Sequence, residues 1–428
     1  MSLTSRLSAF TSGAGYAWLR LASSLLLMTL GSSAMYAVSV VLPHLQADFG
    51  ITRSQASLPY TFTLIGFGLG GISMGWLADR FSVRAPLLLG ALGLGLGYGL
   101  AGMATSIWWF SLAQGLLLGF LGAAASFAPL VADTTRWFVR HRGIALAICM
   151  SGNYLAGAVW PPIMQHFVDV AGWRAMYHGV GITCMLATLA LLMVYGRKPD
   201  LSKPAPVSAR PSARKAIYQL EIMRSDPQRP LGLGPRTLQN LLCVAGIGCC
   251  IAMAMPQVHI IAYCGDLGFG AARGAEMLAL MLGLGIISRL LSGWISDHIG
   301  GLRTLMLGAV LQAVALALFL FSNDLVSLYI VSAMFGLFQG GLIPAYALIV
   351  REYFSPEQAG ARVGTVLMAT LFGMAAGGWL SGLIYDLTGS YKPAFINGIL
   401  WNFLTLSIVG FLIYRARRLV GKDGALTS

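Results

Sequence analysis

Apolar runs about twenty residues long recur twelve times along this chain of 428 residues. They lie at roughly 21–43, 57–78, 85–104, 108–132, 143–168, 174–195, 238–263, 274–296, 303–321, 326–350, 361–385 and 393–414. A helix rises about 1.5 Å per residue, so each run matches the ~30 Å hydrocarbon layer of a bilayer. Only a structure that satisfies its own backbone polar groups can cross that layer, and for single apolar runs that structure is a helix. Composition agrees: 57% of the residues are hydrophobic and 10% are charged, against about 25% charged in soluble domains. The expected fold is an all-α membrane protein with twelve transmembrane helices. The first run exceeds the about 7–15 apolar residues of a signal-peptide core and reads as a retained span.

Between the sixth and seventh runs the text changes. The stretch "GRKPDLSKPAPVSARPSARKAIYQLEIMRSDPQRPLGLGPR", 196–236, is rich in proline, serine and basic residues. It reads as a linker carrying a short surface helix near Ala216–Met223. The expected organisation is a six-helix bundle over 1–195, a cytoplasmic linker over 196–236 and a second six-helix bundle over 237–428. The bundles repeat each other. Gly75, Trp76 and Asp79 after the second run match Gly293, Trp294 and Asp297 after the eighth. Pro129 and Arg136 match Pro344 and Arg351 at almost the same offset. A repeat of this kind implies two pseudo-symmetric halves about an axis along the membrane normal, with a site near the midplane.

The chain is basic, with a net charge of +13. If both termini are cytoplasmic, 23 of its 28 Lys and Arg residues fall on the cytoplasmic side, four on the other, and Arg289 within a span. That asymmetry is the positive-inside bias of membrane proteins. It accounts for the basicity without nucleic acid, for which no phosphate-tracking array is present. The six cysteines sit in or beside apolar runs, none in a CxxC pair, so they read as packing residues and not as disulfides or metal ligands. Glycine-rich text around Gly93–Gly102 follows no strand and reads as helix packing. No nucleophile–base set, metal cluster or phosphate loop suggests an enzyme, and no cofactor is expected.

The loop Gly75-x-x-x-Asp79-Arg80-x-x-x-Arg84 resembles the signature of the major facilitator superfamily, with Ser82 where a glycine is usual. The resemblance covers the whole chain. It implies that Asp79, Arg80 and Arg84, with Asp297 as the repeat copy, belong to the gate. Three stretches are similar to the bacterial monocarboxylate porter and oxalate:formate antiporter group: "YAVSVVLPHLQADFGITRSQASLPY", "RWFVRHRGIALAICMSGNYLAGAVWPP" and "GWRAMY". In that group an arginine of span eight binds the substrate carboxylate, and Arg289 occupies that place. The group's acidic residue four positions earlier is Gly285 here, and its lysines of spans one and eleven are absent.

Arg289 lies eight residues before Asp297, about 12 Å along the helix and hence near the midplane. A cation there costs about 2.5–3.5 kcal/mol on insertion scales. Three readings explain it. It pairs with an acid, Asp133 or Asp386 being nearest; it is capped by backbone carbonyls; or it faces a cavity and binds an anion. The third is preferred, because a planar, permanently charged guanidinium fits a carboxylate bidentately. One cation matches one negative charge, so a small monocarboxylate is expected as substrate, not a sugar or a cation. Tyr36, Asn153, Tyr154, Ser288, Gln339 and Tyr346 are candidate hydrogen-bonding neighbours, each equally readable as a helix contact. His259 is a candidate for proton coupling because imidazole titrates nearest neutral pH; an interfacial role competes with this. The expected protein is a monomeric secondary transporter of a bacterial inner membrane, coupled to protons or exchanging anions. An exporter of drug-like compounds or an importer of a larger acid is the alternative.

Overall fold

Caps and prolines written in the sequence set where the helices begin. In the computed structural model, which describes residues 13–138, 142–196 and 230–424, the Thr52 side chain accepts from the Gln55 N–H while Gln55 reaches back to the Thr52 N–H. That reciprocal box satisfies two of the four orphan donors of a helix start. Ser106 and Asp324 cap two further starts, and Pro235 and Pro356 open two more, where a missing N–H costs nothing. Gly50 closes a helix at φ +61°, a conformation that glycine adopts without strain.

The described residues hold twelve helices long and apolar enough to cross a membrane and no strand. The chain divides into two compact units, Met1–Ala209 and Arg210–Ser428. In the first, the spans are Gly15–Phe49, Arg53–Arg80, Arg84–Gly102, Ile107–Trp137, Ile144–Ala171 and Trp173–Gly196. In the second, they are Pro235–Asp266, Ala271–Ile299, Gly301–Phe321, Leu325–Tyr353, Gln358–Thr388 and Lys392–Arg418. Most run past the apolar stretch that announced them, because backbone hydrogen bonding continues through the polar flanks. The surface helix expected near Ala216–Met223 lies outside the described residues.

Three spans are interrupted. Span one breaks at Ser32, between helices Gly13–Gly31 and Ser33–Phe49. Span four passes through a wide π-helical stretch, Ala113–Ala123, and turns before its last helix, Ala128–Trp137. Span ten stops at Gln339 and resumes at Leu342 across Gly340 and Gly341. Interruptions of this kind free backbone groups at membrane depth, which is tolerated where protein or a cavity takes them up.

Close backbone approach holds the interrupted spans. A Cβ built on Gly119 of span four would lie 2.4 Å from the Thr63 carbonyl oxygen of span two. One on Gly336 of span ten would lie 2.0 Å from the Met281 oxygen of span eight. Spans two and four of one unit and eight and ten of the other thus pack by the same small-residue rule. Large apolar side chains such as Ile72, Val170 and Phe321 remain exposed. In water such a surface would aggregate; against lipid tails it is the solvent-matched face.

Candidate functional site

In the second unit the site is built around the break in span ten. The helix that ends at Gln339 leaves its last carbonyls without the usual partner four residues on. Span eight presses against this point. A Cβ on Gly340 would meet the Gly285 oxygen at 2.2 Å and the Ser288 Cβ at 2.8 Å. Arg289, half-buried on the same stretch of span eight, donates from Nε to the Gly340 carbonyl at 3.4 Å. The guanidinium is therefore anchored at its stem by a carbonyl that the break exposes. Ser288 is buried against the break, and the Ser292 hydroxyl donates to its carbonyl at 2.6 Å.

Gln339 is fully buried, and its Oε1 accepts from Gln257 Nε2 of span seven at 3.1 Å. Its own Nε2 finds no acceptor among the described residues. Leaving an amide N–H unpaired in the interior costs about 1–3 kcal/mol, so the group is poised to donate. Gln257 was not singled out from sequence. It lies in an apolar run, and only the packing of spans seven and ten brings the two amides together.

Tyr346 goes elsewhere. It is buried in the apolar core with Leu305, Ile349 and Cys249, its ring beside Gly246 of span seven. His259 is buried between Tyr391, 2.9 Å from Nδ1, and the Gly378 carbonyl, 2.8 Å from Nε2. A carbonyl only accepts, so Nε2 carries a hydrogen, while Nδ1 shares a hydrogen bond with the Tyr391 hydroxyl. Both nitrogens are used, a geometry that suits a post between spans seven and eleven.

In the first unit the break of span one faces span five. Tyr36 donates its hydroxyl toward the Asn153 carbonyl and Oδ1, both at 3.2 Å. Asn153 Nδ2 donates to the Ser32 hydroxyl at 3.2 Å. Trp160 Nε1 donates to the Thr29 carbonyl at 3.0 Å. Span five therefore takes up the polar groups that the Ser32 break releases. Tyr154, one residue on from Asn153, is also buried.

The signature loop is arranged as a surface latch. Arg136 Nη2 donates to Asp79 Oδ1 at 2.9 Å, with both side chains well exposed. Arg80 lies over the Trp76 ring, 5.3 Å from its centre. The Arg84 guanidinium reaches the end of span six, where a Cβ on Gly196 would lie 2.7 Å from Nη2. The second unit solves the corresponding problem differently. Asp297 is exposed, while the Glu352 carboxylate accepts from the Gly301 N–H at 3.1 and 3.2 Å and so holds the start of span nine. Sequence matching found Asp297 through the repeat and missed Glu352, which stands where the first unit has Trp137.

Asp133 is not available to Arg289: it is buried in a bidentate pair with Arg20 within the first unit. Arg20 stands at the polar edge of the first apolar run, so its sequence position alone does not mark it as buried. No group of three or more His, Cys, Asp or Glu residues among the described residues could hold a metal.

The family model described as Major Facilitator Superfamily matches residues 21–313 and 277–426. Monocarboxylate transporter 13 of Bos taurus is 27% identical over 325 residues, which is 75% of this chain and 71% of that one. The riboflavin transporter MCH5 of Saccharomyces cerevisiae is 22% identical over 427 residues, 96% of this chain and 80% of that one. Among solved structures, a peptide transporter POT in complex with sulfate superposes with a TM-score of 0.71 at 12% identity, covering 94% of each chain. The last likeness is one of fold.

Proposed function

The chain belongs to the major facilitator superfamily and is a multi-pass membrane transporter, and from that footing we propose that its substrate is a small organic monoanion, most simply a monocarboxylate. The observation that carries this reading is Arg289, a permanent cation in mid-span beside the break of span ten. Its Nε is tied to a backbone carbonyl, and a planar guanidinium is the side chain that meets a carboxylate edge on. Gln339 offers a buried donor on the residue before that carbonyl, and Ser288 stands next to Arg289. Tyr36 and Asn153 supply neutral polar groups in the first unit. The similarity to monocarboxylate transporter 13 supports a carboxylate. The similarity to a riboflavin transporter over nearly the whole chain favours, as a second reading, a larger planar acid.

In this reading the two units alternate access to the bound anion by rigid-body rocking, with Asp79, Arg80, Arg84 and Asp297 at the gate. Net charge per event is balanced either by a proton or by a counter-anion. The bias of basic residues supports cytoplasmic termini, and the reading is of a transporter in a bacterial inner membrane.

Uptake of labelled lactate, pyruvate, formate and benzoate into proteoliposomes tests the reading, for wild type, Arg289→Lys and Arg289→Ala. Removing one partner of a buried charge contact costs about 2–5 kcal/mol, or a loss of about thirtyfold and more. Arg289→Ala is expected to abolish uptake of the preferred acid, and Arg289→Lys to weaken it by losing the bidentate fork. A folded Arg289→Ala protein that transports like wild type would sink the assignment.

A further inference from the structure

Among the described residues, the first unit buries a charge pair and the second buries no carboxylate. Arg20 of span one donates from Nε to Asp133 Oδ2 at 2.6 Å and from Nη2 to Oδ1 at 2.9 Å, forming a two-pronged contact with span four. The two residues are 5% and 3% exposed. Asp133 is the one fully buried carboxylate among the described residues. Aromatic rings sheathe the guanidinium, whose Cζ lies 4.3 Å from the centre of Tyr195 and 5.0 Å from that of Trp137. Among the described residues, the titratable and charged groups facing Asp133 are Arg20 of span one, itself bonded to Tyr16, Cys149 of span five and Tyr195 at the end of span six. On its own span, Arg136 is turned toward Asp79.

The register that sets Pro129 and Arg136 against Pro344 and Arg351 sets Asp133 against Leu348. The second unit thus builds the same span with an aliphatic side chain, so the fold does not require the pair. Burying two charges is costly, and apolar replacements of similar volume are often as stable. A transporter that keeps such a pair in one half only has a use for a carboxylate shielded from solvent.

We propose that Asp133 binds the coupled proton of the transport cycle, and that Arg20 is the group against which the proton competes. This rests on the transport reading given above. The Asp133 carboxylate gains one proton and gives up its charge-assisted contacts; Arg20 keeps its charge and stays between the faces of Tyr195 and Trp137, which hold a cation without an anion. Nothing else forms or breaks. Asp133 stands four residues from Trp137, the last residue of its span, so it is about 6 Å from that end of the helix. Loss of the pair loosens span one from span four. Span one is the helix that breaks at Ser32 and carries Tyr36 against Asn153. Protonation at one end of span one is thereby linked to the polar groups near its middle.

The test uses the full chain in proteoliposomes and in detergent. A pH difference of about one unit can drive about tenfold accumulation of a proton-coupled acid. Wild type is expected to concentrate its acid in this way. Asp133→Asn, and the double variant Arg20→Met/Asp133→Leu, whose leucine copies Leu348 of the second unit, are expected only to equilibrate it while still exchanging labelled for unlabelled acid. The double variant guards against misfolding, since it leaves no unpaired buried charge. Infrared difference spectra of wild type, recorded as the pH is lowered, are expected to show a protonated-carboxyl band that Asp133→Asn removes. Overturning results are a double variant that concentrates acid like wild type, or spectra with no such band. If wild type moves none of the acids, the transport reading fails separately, and the infrared titration alone decides whether Asp133 takes a proton.

Discussion

Gly336→Ala adds one methyl group at the tightest backbone approach between spans eight and ten. The new Cβ would sit 2.0 Å from the Met281 carbonyl oxygen, with Met281 C and Cα next at 2.8 and 2.9 Å. A carbon–oxygen contact needs about 3.3 Å, so the spans must separate by about 1.3 Å. The obstacle is backbone, and no side-chain rotation relieves it. Overpacking of this kind costs about 1–3 kcal/mol, and the gain from replacing glycine by alanine in a helix returns about 0.5–1 kcal/mol. The net loss, about 1 kcal/mol at mid-range, corresponds to a fall of roughly 2–4 °C in thermal midpoint for a unit of this size. Separation also lengthens the contact from Arg289 Nε to the Gly340 carbonyl, already 3.4 Å, and an error of about 1 Å in a binding constellation costs up to ~100-fold in rate. Thermal unfolding in detergent and uptake kinetics measure both effects. Gly293→Ala, where nothing lies within 4 Å of the new Cβ, is the control and is expected to hold or slightly raise the midpoint. The packing argument is refuted if Gly336→Ala melts with wild type and transports with unchanged KM and rate.

His259→Phe removes the hydrogen bonds to the Tyr391 hydroxyl and the Gly378 carbonyl, and a carbonyl left unpaired in the interior costs about 1–3 kcal/mol; the thermal midpoint should drop, while the pH profile of residual uptake keeps the wild-type shape, and a flattened profile would instead make His259 a proton carrier. Asp324 caps span ten, and hydrogen bonds from the Ser327 side chain and backbone N–H hold its carboxyl below the usual carboxylate range. The stabilisation from a depressed carboxyl is present above the unfolded value of about 3.9 and disappears as pH falls through the folded value. Asp324→Asn should therefore lessen the acid sensitivity of thermal unfolding below about pH 4, and an unchanged acid limb would argue against the cap.

Hydrophobicity, length and charge position determined that this chain crosses a membrane twelve times. These are properties of each segment against one solvent, and a bilayer reads them one helix at a time. The repeat of Gly75, Trp76 and Asp79 at Gly293, Trp294 and Asp297, and the resemblance it supports, reached the family for the same reason: local text survives without knowledge of neighbours. Arg289 was legible because a cation in an apolar run is costly wherever it ends up. Which groups meet it was not. Gln257 pairs with Gln339 only because spans seven and ten pack together, Tyr346 turns into the core, and His259 spends both ring nitrogens on Tyr391 and Gly378. Periodicity cannot place these contacts, since every side of a membrane helix is apolar and no polar stripe marks the inward face. The Arg20–Asp133 pair shows the limit most clearly. Asp133 was legible only as a span-end acid that could meet Arg289, and only the tertiary structure, by burying it against Arg20 beneath Tyr195 and Trp137, made Arg20 its partner.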